Sequence, residues 1–159
     1  MQITPLKDRF EFYAKNLKEI GHNSSQIKEK AFFHVDLEEI QQALSEGIKF
    51  PALYLQTPEV EKSGVYDNMS EIFDFTFVVM MKGTADKTAL YDQAKMISDK
   101  IINRLMHDVN TEVLPGVISG TNEGKFGPVG DCLYGWAVSC SVSDGYNAEV
   151  NSIDWEDLA

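Results

Sequence analysis

The residues able to do chemistry in this 159-residue chain are few, and their spacing does not suit them to it. A Cys132 thiolate with His34 as its base would form a nucleophile pair, but no sequence feature brings the two together. His34 stands in KAFFHVD among aromatic residues, with no second histidine or cysteine close in sequence to support a metal or catalytic site. Carboxylates are plentiful, yet HExxH, EF-hand spacing and CxxC are all missing. GKFGPVG, residues 124 to 130, surrounds a lysine with glycines. A phosphate loop needs its lysine followed by Ser or Thr at the start of a helix, and here a strand pattern follows instead. Asp74 and Thr76 share a strand face that reads as a solvated sheet end rather than a carboxylate pair. The expectation is no catalytic residue, no cofactor site and no metal site.

The second cysteine, Cys140, lies eight residues beyond Cys132, about 26 Å along an extended chain. That exceeds disulfide reach, so reduced thiols are expected.

The elements around these residues carry more information than the residues themselves. LKDRFEFYAKNLKEI repeats apolar residues at Leu6, Phe10, Tyr13, Leu17 and Ile20, one face of an amphipathic helix. Thr4-Pro5 would start it and Gly21 stop it. KAFFHVD, residues 30 to 36, reads as a short strand, and LEEIQQALSE as a helix opened by Asp36 and Glu39 and ended by Gly47. KFPALYLQT, residues 49 to 57, reads as a strand with Pro51 at its beginning or on an edge.

The densest signal is EIFDFTFVVMMKGTADKTALYDQAKMISDKIINRLM, residues 71 to 106. Phe73, Phe75, Phe77, Val79 and Met81 share one strand face; the other carries Ile72, Asp74, Thr76, Val78 and Met80, polar at one end and apolar at the other. This predicts a central strand buried on one face and covered over part of the second. Leu90, Ala94, Ile97, Ile101 and Leu105 then form a helical stripe, capped by Thr84 or Asp86. EVLPGVISG, residues 112 to 120, and CLYGWAVSCSVSD, residues 132 to 144, read as an antiparallel pair of strands. The stretches 59 to 71 and 121 to 131 have glycine and charge without a period, and are expected as loops.

These patterns give an α+β class: a mostly antiparallel central sheet packed by an N-terminal helix and a long helix after the central strand. Residues 1 to 145 form one domain, and 146 to 159 an acidic C-terminal tail. No apolar run approaches the roughly 20 residues that span a bilayer, and the N-terminal stretch has no signal-peptide core. A cytosolic protein without a membrane partner is therefore expected. The formal charge of −11, with lysines scattered, argues against gripping nucleic acid.

In element order, and in the unit FTFVVMMKGTADKTALYDQAKMISDKIINRL followed by GWAVSCSVS, the chain resembles the tail terminator (tail-completion) proteins of tailed bacteriophages over about residues 1 to 145. The KAFFHVDLEEIQQALSEG segment departs from the smallest members of that family. The resemblance implies a structural virion protein of the tail and neck, assembled in the host cytoplasm. Such proteins form a homo-oligomeric ring, often sixfold, that caps the tail tube and meets the head-side connector; tail tube protein and connector protein are the implied partners. DNA would pass an acidic lumen without specific binding. Partner contacts are expected from the loop at Gly120, Asn122, Lys125, Phe126 and Val129, and from Ile153, Trp155 and Leu158 in the tail. Deleting residues 121 to 130 would then leave a folded monomer unable to form rings. The competing readings are a head–tail connector or neck adaptor, a small thiol enzyme using Cys132 or His34, and a bacterial ligand-binding or regulatory α+β domain.

Overall fold

A computed structural model describes residues 1–34, 47–65, 68–84, 86–130 and 132–146. The expected helix over 36 to 47 falls almost wholly on residues outside this set, as do Ile153, Trp155 and Leu158.

The first helix, α1, runs Ile3–Asn16 and buries Leu6, Phe10, Tyr13 and Ala14. It starts one residue before Thr4, with Gln2 in the N-cap position and no side-chain cap, and Pro5 sits inside the first turn. There the missing N–H costs nothing, because the first four amides of a helix have no intrahelical partner. The helix also ends before Gly21: Leu17 turns extended, and a short turn folds Ile20 back into the core. Gly21 takes a φ of +57°, and its carbonyl accepts a hydrogen bond from Lys49 Nζ at 3.1 Å.

Among the described residues six strands form one sheet: β1 (Phe32–His34), β2 (Ala52–Leu55), β3 (Glu59–Val65), β4 (Asn68–Lys82), β5 (Val117–Val129) and β6 (Leu133–Tyr146). Their order is β1-β2-β4-β6-β5, with β3 also paired to β4. Only β1 and β2 run parallel; every other pairing is antiparallel. Strand β4 is central, as its two-sided pattern predicts. One side pairs along its whole length with β6, while the other is shared between β2, opposite Phe77 to Met80, and β3, opposite Asn68 to Asp74.

The second long helix, α2, spans Lys87–Asn110, and the Asp86 carboxylate caps it by accepting the Thr88 amide. The stripe Ala94, Ile97, Ile101, Leu105 and Val109 is buried. Both helices pack on the sheet face bearing Phe75 and Phe77, where the Phe10 ring lies 5.7 Å and 5.3 Å from theirs. Fully burying one such side chain contributes roughly 1.5–3 kcal/mol. The opposite face is divided as the sequence suggests: Val78 and Met80 are buried, Asp74 is exposed and Thr76 half-buried.

The sequence reading misses one strand outright. Residues 59 to 65, expected as a loop, form β3 in a hairpin with β4. Gly64 permits the hairpin's tight end, with a φ of +119° and a built Cβ that would come within 2.2 Å of the Asn68 carbonyl oxygen. The second expected loop is also strand. Residues 121 to 129 continue β5, and β6 begins at Leu133.

Candidate functional site

The interface residues singled out from the sequence lie on β5, not on a flexible loop. Gly120, Asn122, Lys125, Phe126 and Val129 each belong to a strand whose inner edge is bonded to β6. Alternation divides them. Gly120, Asn122 and Phe126 stand opposite Ser141, Ser139 and Gly135, on the face away from the helices; Lys125 stands opposite Trp136, on the helix side. Phe126 is half-buried against the core, while Gly120, Asn122, Lys125 and Val129 are exposed. Because the segment is a paired strand, deleting residues 121 to 130 would strip β6 of most of its partner. A clean test of assembly therefore needs substitutions.

The outer edge of β5 is open: among the described residues no strand lies beyond it. Two bulges, between Ile118 and Gly120 and between Phe126 and Val129, frame a regular stretch from Gly120 to Phe126. On the other side of β4, alongside the terminal β2–β1 pair, β3 offers another open edge, and all seven of its residues are exposed. Unpaired N–H and C=O groups on such edges are templates for another strand. Four of the exposed large apolar residues, Val60, Val65, Val117 and Val129, sit on these two strands.

Between the edges, the face turned away from α1 and α2 forms a shallow polar trough of about 490 Å³ lined by Gln56, Glu59, Asp74, Thr76, Asn122, Ser139 and Ser141. Thr76 and Ser139 hydroxyls are 2.8 Å apart, Ser141 donates to the Asp74 carboxylate, and the Ser119 hydroxyl donates to the Ser141 carbonyl at 3.2 Å. These short side chains satisfy one another and leave the face flat and acidic. No group of three or more His, Cys, Asp or Glu side chains among the described residues could hold a metal ion.

Cys132 and His34 are held apart. His34 pairs with Leu55, level with Phe77 and Val138, and its Nδ1 lies 3.0 Å from the Leu55 carbonyl oxygen. Cys132 precedes Leu133 at the end of β6 and accepts the Gly83 amide. Three strand spacings at about 4.8 Å each, and several residues along the strands, separate the two. Cys140 lies beneath the helices, where burial pushes its thiol up to about 12. Both cysteines are free.

A cluster the sequence reading did not single out ties the two helices together. The Asp108 carboxylate, buried near the end of α2, accepts from Arg9 Nε, from the Tyr13 hydroxyl at 2.7 Å and from Arg104 Nε at 3.0 Å. Burial pushes this carboxyl up, but the hydrogen bonds and charges around it prevail and hold it below the ordinary range. Burial and the bond to Asp108 push the Tyr13 hydroxyl up, and the same carboxylate raises Arg9. The signal was available, since Asp108 falls on the apolar stripe of α2 three residues after Leu105. Its partners make it a staple of the body rather than a reactive acid.

No helix among the described residues is long and apolar enough to cross a membrane. No protein-family model matches the chain, and no curated protein matches it.

Proposed function

We propose that this protein is a structural subunit of a closed ring at the end of a bacteriophage tail tube, where it terminates the tube and joins it to the head-side connector. One observation carries the reading: β3 and the outer side of β5 are exposed edge strands beside a packed helix–sheet body. Two strands with exposed side chains and open edges make poor sense in a solitary molecule, because exposed edges invite uncontrolled pairing. They make good sense in a subunit whose copies cover them.

The resemblance of residues 75 to 105 and of GWAVSCSVS to tail terminator proteins supplies the biological setting. A contact between unlike surfaces that closes by rotation generates a ring. The charge of −11 suits a collar through which DNA slides, since phosphates are repelled rather than held. Tail tube protein, connector protein and a place in the assembled virion follow from the same reading. A connector ring would share the design and differ in which partner it binds.

Light scattering and negative-stain microscopy of the purified chain test this directly. Closed rings of uniform size are the expected outcome. A species that stays monomeric from micromolar to millimolar concentration removes the proposal.

A further inference from the structure

The open edges of β3 and β5 match one another in direction, length and charge. Because β3 is antiparallel to β4, β4 to β6 and β6 to β5, β3 and β5 run in opposite directions at the two sides of the sheet. A copy placed beside β5 with its sheet facing the same way therefore presents its β3 antiparallel, the geometry with the stronger ladder. The regular stretch of β5 between its bulges, Gly120 to Phe126, has the same length as the seven-residue β3.

Face parity restricts the register. Lys62 pairs with Glu71 and so lies on the helix side, as Glu123, paired with Val138, does on β5. Of the registers that keep like faces together, one uses both stretches fully, with Glu59 opposite Phe126 and Val65 opposite Gly120. It places Lys62 opposite Glu123, Val60 opposite Lys125 and Ser63 opposite Asn122, and sets no like charges face to face. A slip of two residues in one direction puts Lys62 on Lys125, which like-charge repulsion penalises; a slip in the other loses the Lys62–Glu123 pair and two rungs.

We infer that copies of this chain join by adding β3 of one subunit to β5 of the next in this register, so that a single antiparallel sheet runs around the ring with its polar face on the lumen. The inference rests on the ring reading and deepens it. The inclination of the strands follows from the pairing. Within one chain Val60 is level with Phe73, Val142 and Ile118. Between chains it meets Lys125, which pairs with Trp136, six rungs from Val142. Six rungs are about 20 Å along the strands, and four strand spacings are about 19 Å across them. The strands thus lean about 45° to the ring axis, at the upper end of the roughly 35–45° at which sheets close into barrels.

Handedness then selects the inner face. The Thr76 carbonyl accepts the Gln56 amide, so it points toward the β2 and β3 side. For L-residues this puts β3 to the right of an ascending β4 when the Thr76 face is toward the viewer. Sheet twist gives barrel strands one direction of lean. With the neighbour on the β5 side displaced upward along the strands, that lean is obtained when the Thr76 face is viewed from inside. Asp74, Thr76, Ser139, Ser141 and Glu59 then line the passage, and the helices ride outside.

The experiment is register-specific disulfide trapping in a Cys132→Ser background. Ser63→Cys with Asn122→Cys places two thiols opposite each other across the contact. Glu59→Cys with Asn122→Cys keeps the same face but is four residues out of register. Under mild oxidation the first pair is expected to give a ladder of covalent multimers on denaturing gels, at least tenfold more than the second, with circular dichroism unchanged for both. Rings seen by light scattering without the ladder, or with equal ladders from both pairs, overturn the edge pairing and leave the ring standing. Monomers throughout overturn both.

Discussion

The helix-covered body and the open strands are made from the same sheet but solve opposite problems. In the body, α1 and α2 cover one face of the sheet, and the deeply buried carboxylate among the described residues, Asp108, finds its partners in Arg9, Tyr13 and Arg104. In β3 and the outer half of β5, the backbone is bonded on one side only and the side chains touch mostly solvent. An isolated two-stranded hairpin is marginal in water. The β3 hairpin persists because β4 extends outward from the core like a beam, with β6 alongside it as far as Tyr146. The contrast teaches that one sheet can concentrate its burial in one part and leave its backbone open in another, and it can be broken or sharpened by substitution.

The largest effect is expected at the centre of the body. Phe10→Ala removes a fully buried ring that meets Tyr13, Phe75 and Phe77, and should cost about 4 kcal/mol in urea unfolding. Val65→Ala, at the most exposed apolar side chain of the open strands, should shift the same midpoint by less than about 0.5 kcal/mol. A Val65→Ala cost approaching that of Phe10→Ala would mean that the open strands belong to the folding core after all.

Next comes the staple between the helices. Asp108→Ala leaves Arg9 and Tyr13 without their shared acceptor, and should cost about 3 kcal/mol at neutral pH. The sign of the pH effect is fixed by the direction of the shift. A carboxyl held below its unfolded value stabilises the fold above about pH 4, and that contribution is lost as pH falls through the folded value. The variant should accordingly show a shallower acid limb than the parent in urea titrations. An unchanged acid limb would show that other carboxylates govern it.

What could be read from the sequence follows the same division. Periodicity reports burial, so the 71 to 106 unit, with one strand face and one helix face inside, was legible down to individual residues: Phe73, Phe75 and Phe77 inward, Asp74 and Thr76 at the polar end. EVEKSGV carries no period because neither of its faces is buried; only the backbone of β4 makes it a strand. TNEGKFGPV was misread for the same reason, being bonded to β6 but largely exposed. Its residues, expected to contact partners from a loop, instead stand on an edge strand. Hydrophobic pattern is blind to strands whose faces stay exposed, and glycine and charge in such strands resemble loop composition.

The smallest expected effect tests whether the body's boundary near β1 is as closed as its centre. His22 is buried, and its Nδ1 accepts the amide of Ala31, itself fully buried, at 2.9 Å. Protonating that nitrogen would remove the acceptor. Burial lowers the imidazole below its ordinary value, and the Glu11 carboxylate, 3.7 Å from Nε2, opposes this without prevailing. Below about pH 6.5 the unfolded chain therefore binds a proton that the folded chain resists, so stability falls as pH drops through that window. Urea midpoints should decline from about pH 7.5 to about pH 5.5. His22→Gln, whose amide oxygen can still accept from Ala31, should flatten that decline. If the variant titrates like the parent, protons enter elsewhere, and the edge of the body is more open than its hydrogen bonds imply.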